Sequence, residues 1–251
     1  MKLGALGDVH GDSASVRAIM HRHPEVHYWV TVGDLADANG EYQSPPAPLH
    51  WIKGNNDNLE VVAGLIDGGR DPLHNLHYIP NGVAMPLGPI VVAGLGGTFA
   101  PTWYDRSAAD VPRPKLVPPR GAFPPMARDD KRRHFLHDEV ERLRKLDRVD
   151  LFVSHEAARP FHLEVRGRRQ DVGKTPINEV LASLRPRMHL SGHHHVYHDD
   201  VRQGIRSIGL GPVGQSYVLI DLDTWKYERI ETPPALVGDD GEVAGNGTAE
   251  L

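Results

Sequence analysis

Short apolar runs alternate with helix-spaced apolar stripes in the first part of the chain. Residues 2–7 (KLGALG) form an apolar run with the length of a strand, and residues 13–21 carry Val16, Ile19 and Met20 at helical spacing behind Ser13 as a cap. Residues 27–32 (HYWVTV) are β-branched and aromatic and stop at Gly33-Asp34; residues 49–53 (LHWIK) stop at Gly54-Asn55. Asn58 is placed to cap a helix that carries Leu59, Val62, Leu65 and Ile66 on one side. Strands alternating with helices predict an α/β sheet.

Beyond Asn75 the apolar runs shorten to 76–79, 83–87 and 89–95, divided by the turn signals Pro80-Asn81-Gly82 and Gly88-Pro89, so consecutive strands are expected. Residues 98–130 are rich in Pro and Arg without a period and predict a long surface loop. Residues 131–146 set Leu136, Val140, Leu143 and Leu146 on one helical face. A strand at 150–153 ends in Ser154-His155, a helix is predicted over 173–184, and a strand at 188–190 ends in SGHHH. Three further strands are expected at 206–210, 216–222 and 225–231. Residues 232–251 turn to Pro, Gly, Asp and Glu and predict a disordered tail, leaving one domain at 1–231.

Composition narrows the class. The 251 residues are 39% hydrophobic and 24% charged, which excludes wholesale disorder and fibrous repeats. Cysteine is absent, which excludes disulfides, thiolate nucleophiles, iron–sulfur clusters and cysteine zinc sites, and fits a reducing compartment. A net charge of −5 argues against a general polyanion binder. No apolar run approaches the roughly 18 residues of a membrane span, and Asp8 arrives too early for a signal-peptide core. These features predict a soluble, cytoplasmic protein. The sixteen histidines stand out, because imidazole is the commonest protein metal ligand.

Five of the strand-like runs end in residues able to bind a hard or borderline cation: Asp8 and His10, Asp34, Asn55, His155, and His193 with His195. In an open α/β sheet the carboxyl ends of the strands meet along one edge, where ligands bind. Asp-x-His and His-x-His suit that edge, since residues i and i+2 of an extended chain project to the same side. Imidazole, carboxylate and amide oxygen without sulfur favour Mn, Fe, Zn, Co or Ni over calcium. Seven ligands exceed what one tetrahedral zinc needs, so two divalent ions sharing a bridging group are expected; the ligand types do not choose firmly among these metals, and Mn2+ is taken first with Fe, Zn, Ni or Co left open.

In chain order the motifs are GDVHG (7–11), GD (33–34), GNND (54–57), SH (154–155) and GHHH (192–195). This resembles the calcineurin-like metallophosphoesterase superfamily, whose blocks run D-x-H, G-D, G-N-H-[DE], H and G-H-x-H. The resemblance spans residues 3–195 and implies a four-layer α/β/β/α sandwich with two mixed β-sheets. It also implies that Asp8, His10 and His195 hold a first metal, that Asn55, His155 and His193 hold a second, and that Asp34 bridges them. Two ions so placed clamp a phosphate and activate a bridging hydroxide for in-line attack.

The third block departs from the family pattern: Asn56 stands where the superfamily has a His that can protonate the leaving group. A positioned general acid is worth about 10²–10⁴ in rate. Its loss favours diesters with good leaving groups, and leaves Asn56 and Asp34 as the residues expected to act on the substrate. His194, between two ligands, is expected to point away from the metals, and Asp57 to brace the turn or a ligand. Residues 91–156 are also similar in order to RNA lariat debranching enzymes, although those keep a His at position 56 and a Cys at position 8. That likeness points toward diesters and nucleotide or nucleic-acid ends as partners.

Other features take plainer readings. Gly94-Leu95-Gly96-Gly97 lacks the G-x-G-x-x-G pattern and a P-loop lysine, so it reads as a tight turn. The remaining histidines, His189 among them, read mostly as surface or edge positions, with His162 and His198 nearest the ligand blocks. Arg113, Lys115, Arg120, Arg128, Arg159, Arg166, Arg168, Arg169 and Lys174 form basic clusters that are either a solvated surface or a guide for an anionic substrate. The leading expectation is a dinuclear phosphodiesterase. Its rivals are a phosphomonoesterase, acting on phosphoprotein or nucleotides, and a non-catalytic scaffold of the same fold.

Overall fold

The N-terminal apolar run forms β1 (Lys2–Leu6), and α1 (Ser13–Arg22), β2 (Tyr28–Thr31), β3 (Leu49–Trp51), α2 (Leu59–Ile66), β4 (Leu76–Tyr78), β5 (Ala84–Leu87) and β6 (Ile90–Leu95) follow. A short α3 (Pro101–Tyr104) precedes α4 (His137–Arg144), β7 (Leu151–Ser154), β8 (His162–Val165), β9 (Arg168–Asp171) and α5 (Thr175–Leu184). The chain closes with β10 (Met188–Ser191), β11 (His198–Arg202), β12 (Ile205–Gly209), β13 (Ser216–Asp221) and β14 (Tyr227–Glu231). The structure, a computed structural model, describes residues 1–69, 73–112 and 130–234.

Two six-stranded sheets carry the fold, in the orders β14-β13-β1-β2-β3-β4 and β11-β12-β10-β7-β6-β5. Both are mixed: β1 to β4 run parallel, as do β6, β7, β10 and β12, while β13, β14, β5 and β11 are antiparallel to their neighbours. The two-residue period of a strand splits each sheet's side chains between two cores. Leu3, Ala5, Val30, Val32 and Ile52 pack inward against Val92, Leu151, Val153, Leu190 and Ile208 of the opposite sheet. Leu6, Trp29, Leu49 and Trp51 point outward under Val16, Ile19 and Val62 of α1 and α2. Ala93, Leu95 and Phe152 do the same under Val140, Leu143, Ile177 and Val180 of α4 and α5. The result is the expected four-layer α/β/β/α sandwich. Trp29 and Trp51 are fully buried; each hides roughly 150–250 Å², on the order of 4–6 kcal/mol of apolar burial.

Several local readings need correction. The cap of α1 is Asp12, whose Oδ1 accepts from Ser15 N at 3.0 Å, while Ser13 Oγ donates to Gln43 at 2.6 Å. The helix expected over 131–146 is shorter. Residues 131–133 make a 3-10 turn capped by Asp130, and Phe135 N is drawn to Thr98 O at 3.1 Å, so helix begins only at His137. The hairpin of β8 and β9 and the strand β11 escape an apolar-periodicity reading because charged side chains occupy both of their faces. The loop expected at 98–130 contains α3 and a 3-10 turn at Ala108–Asp110, and its stretch 113–129, with Arg113, Lys115, Arg120 and Arg128, lies outside the described residues. Of the expected tail, Thr232 is tied back through its N–H to Gln215 O at 3.1 Å, and 235–251 lies outside the described residues. No helix among the described residues is long and apolar enough to cross a membrane.

Candidate metal centre

The seven candidate ligands follow β1, β2, β3, β7 and β10, at the carboxyl ends of parallel strands in both sheets. The sandwich brings these ends together. His195 Nε2 lies 3.2 Å from Asp8 Oδ2 and 3.1 Å from His10 Nε2. His10 Nε2 is in turn 3.7 Å from Asp34 Oδ2. Across that carboxylate, His155 Nε2 is 3.6 Å from Asp34 Oδ2 and 3.0 Å from Asn55 Oδ1. The His193 ring stands 4.9 Å from that of His155, and its backbone N–H donates to Asp8 Oδ2 at 2.8 Å. Asp8, His10 and His195 each offer an atom within 4.8 Å of the others, a group able to hold a cation, and Asp34, His155 and His193 are not part of that group.

The backbone that presents these groups is unusual. His10, Asp34, His193 and His195 all adopt positive φ, at 47°, 51°, 67° and 55°. That region costs a non-glycine residue about 1–2 kcal/mol, and such strain persists only where surroundings over-determine it. Here they do. Val9 N and His10 N both donate to Asp34 O, at 3.1 and 2.7 Å, and Gly192 N donates to His155 O at 3.1 Å. Asp57 is buried and accepts four backbone N–H groups, from Asp34, Leu35, Ala36 and Gly54, at 3.0, 2.9, 3.0 and 2.6 Å. It therefore clamps the turn after β2 to the turn after β3. Gly54 is required by this approach, since a Cβ there would lie 2.0 Å from Asp34 Oδ1.

Charge on the site follows from burial and neighbours. Burial would raise Asp34, but His155 and the Asn56 donors hold its carboxyl below the ordinary value. Burial would lower His155, but Asp34 and Asp8 pull it up instead. His195 is raised by its contact with Asp8. His193 is pushed down to about 2 by burial and by His155, so it presents a neutral ring. Burial and the Asp34 charge push Asp57 up to about 6.

The donor arithmetic fits a cation. His155 Nδ1 faces Val32 O at 2.8 Å and must donate to it, which aims Nε2 at Asn55 Oδ1 and Asp34 Oδ2, where a proton or a cation can take the place between them. A backbone carbonyl on the far ring nitrogen is the usual way to orient a ligating imidazole. Asp8 Oδ1 is buried without a hydrogen-bond partner. The set is nitrogen and oxygen only, suited to borderline divalent metals.

Asn56 sits on the Asp34 carboxylate: its backbone N–H donates to Asp34 Oδ1 at 2.7 Å and its side chain Nδ2 to Asp34 Oδ2 at 2.8 Å. His194 faces Glu156 Oε2 at 3.7 Å, in keeping with the expectation that it points elsewhere. Residue order alone attaches no role to Glu156, although it follows His155 directly. His189 is corrected from a surface position: it is fully buried. Ser154 Oγ donates to Glu156 O at 2.5 Å, so His189 Nε2 donates to Ser154 Oγ at 2.7 Å and its Nδ1 accepts from Ser207 at 2.8 Å. His162 is exposed on β8, and His198 stacks on Phe161 at 4.3 Å.

The sequence profile of the calcineurin-like phosphoesterase superfamily domain matches residues 1–224, and the chain belongs to that superfamily. Its members are in general hydrolytic phosphoesterases that act on phosphate esters and typically use divalent metals. Among solved structures, TT1561 of Thermus thermophilus is similar at a TM-score of 0.55 and 13% identity, covering 92% of this chain and 99% of that one. GAP50, the anchor in the inner membrane complex of Plasmodium, is similar at 0.51 and 12%, covering 94% and 86%. A protein described as a 5'-nucleotidase of Staphylococcus aureus is similar at 0.51 and 12%, covering 92% of this chain but 54% of that one. At such identities the likeness is one of fold. No curated protein matches the sequence.

Proposed function

We propose that this chain is a phosphodiesterase that works with two divalent cations, Mn2+ first among them. Asp8, His10 and His195 would hold one, Asn55, His155 and His193 the other, and Asp34 would be shared. The observation that carries this reading is the convergence of nitrogen and oxygen ligand atoms on both sides of Asp34, His10 Nε2 3.1 Å from His195 Nε2 and His155 Nε2 3.0 Å from Asn55 Oδ1. When bound, the cations would supply charge against the phosphoryl oxygens and lower the pKa of the attacking water toward neutrality.

The remaining work falls to the chain itself. Asp57 and the strained turns hold the ligands in place before substrate arrives, so little reorganisation is left to the reaction. Asn56 Nδ2 is a neutral donor beside the shared carboxylate; it can hydrogen-bond a phosphoryl oxygen but has no acidic proton for a departing alkoxide. Preference for diesters with stable leaving groups follows. Arg166, Arg168 and Arg169 stand exposed on the hairpin of β8 and β9, whose base adjoins the segment after His155, and would draw a nucleotide or nucleic-acid end toward the centre.

The test is turnover of bis(p-nitrophenyl) phosphate against p-nitrophenyl phosphate under Mn2+. A higher kcat/KM on the diester is expected. A strong monoester preference would replace this reading with a phosphatase, and a purified protein without stoichiometric metal would favour the scaffold.

A further inference from the structure

We infer that Glu156 is a positioning residue for the His193–His195 turn, acting through His194, and this rests on the reading that the centre holds divalent cations. Glu156 is 2% exposed. Its Oε1 accepts from Phe99 N at 3.0 Å. Its Oε2 is buried without a hydrogen-bond partner and faces two groups that can donate to it, Lys174 Nζ and His194 Nε2, each at 3.7 Å. His194 Nε2 is likewise buried without a hydrogen-bond partner.

Two buried orphan groups pointed at each other each carry a desolvation cost of about 1–3 kcal/mol until they pair. A shift of under an ångström closes the gap to hydrogen-bond length. The contact is therefore where the turn is pulled into register. The two residues flanking His194 are the ones held at positive φ, 67° at His193 and 55° at His195. Their conformations need support from the residue between them, and the His194 ring supplies it. That ring is held between Phe161, 5.0 Å away, and His193, 4.9 Å away, with its nitrogen aimed at the carboxylate.

Glu156 also links the two sides of the centre. It follows His155 in the chain, and its side chain reaches the turn that carries His193 and His195. Lys174, just before α5, balances the carboxylate's charge, and its backbone N–H donates to Ala157 O at 2.9 Å. A displaced Glu156 would thus misplace ligands on two strand ends at once.

The test uses the full chain loaded with Co2+, whose visible absorption reports ligand geometry, together with Mn2+ affinity by chelator competition. Glu156→Gln keeps the volume and the acceptor for Phe99 N while removing the charge that faces His194. It should weaken metal binding by about 10- to 100-fold, the usual effect of a residue that orients a ligand, and alter the Co2+ spectrum. A merely structural role would lower Tm and leave the spectrum of the bound ion unchanged, which overturns the inference. Should Glu156→Gln not fold, His194→Phe, which keeps a ring against Phe161 and removes Nε2, must give the same spectral change; a normal spectrum overturns the inference. A wild-type chain that takes up no stoichiometric Co2+ would instead bring down the metal reading beneath it.

Discussion

The two sides of the centre differ in their access to water. His10 and His195 have side chains 36% and 49% exposed. His155 is fully buried and pinned to Val32 O. The open side can exchange protons and ions with solvent at little structural cost. On the closed side His155 is part of the wall between the sheets and therefore also a stabilising residue, while the candidate ligands Asn55 and His193 are half-buried. Asp34, 1% exposed, belongs to both.

Breaking the shared group should have the largest effect. Asp34→Asn keeps the shape but removes the charge facing His10 and His155; metal content should fall on both sides, and diester turnover by roughly 10³-fold, the scale of losing a principal electrostatic contact. Elemental analysis and kcat together check this, and full metal content in the variant would contradict it.

Next in size is the contrast between one closed-side and one open-side ligand. His155→Ala should cost about 2–3 kcal/mol, near the upper end of single-site effects, because it orphans Val32 O inside the wall. That corresponds to a Tm drop of several degrees for a chain of this length. His195→Ala should leave Tm nearly unchanged while lowering metal content, from two ions to one if the proposed pair of cations is present. Equal Tm losses in the two variants would erase the distinction.

The closed wall also predicts a pH dependence of stability. Burial lowers His189 from 6.5 to about 3 in the fold. The unfolded chain therefore takes up that proton first. Its contribution is complete above about 6.5 and is lost as pH falls from there toward about 3, with a slope approaching roughly 1.4 kcal/mol per pH unit. His50 and His134, each lowered to about 4 by burial, act in the same direction. Urea midpoints between pH 7 and pH 4 should fall for the wild type and fall less steeply for His189→Gln.

The smallest effect concerns the exposed hairpin outside both sides. If Arg166, Arg168 and Arg169 guide the substrate, raising salt from about 50 to 200 mM should lower kcat/KM on an oligonucleotide diester a few-fold and leave a neutral-leaving-group aryl diester less affected. Salt-independent kcat/KM on both would assign those arginines to the solvated surface.

Much of this is legible from residue order alone. The parallel strands β1, β2, β3, β7 and β10 are apolar enough to announce themselves, and each stops at a polar block, so the candidate ligand set can be written down without coordinates. The elements that escape are the ones whose pattern is set by partners. The hairpin of β8 and β9 has charges on both faces; its turn instead relies on positive φ at Arg166 and Gly167, 52° and 72°. The start of α4 departs from the expected one because Phe135 and His134 are drawn to Thr98, a contact their own periodicity does not register. His189 is one histidine among sixteen until Ser154, Ser207 and Phe152 close around it.

Residue types and their alternation sufficed to determine the α/β class and the chemistry on offer, imidazole, carboxylate and amide at strand ends with no thiol and no acidic hydrogen at position 56, and the motif blocks, through their resemblance to a known superfamily, implied the four layers. Tertiary structure alone decided where those groups point. Side-chain direction depends on φ and ψ, and at His10, Asp34 and His193 these are imposed against intrinsic preference by hydrogen bonds from distant turns. The placing of Asn56 on Asp34, and of Glu156 beneath His194, arises from the same cause: two sheets must first close on a common core before residues far apart in sequence become neighbours.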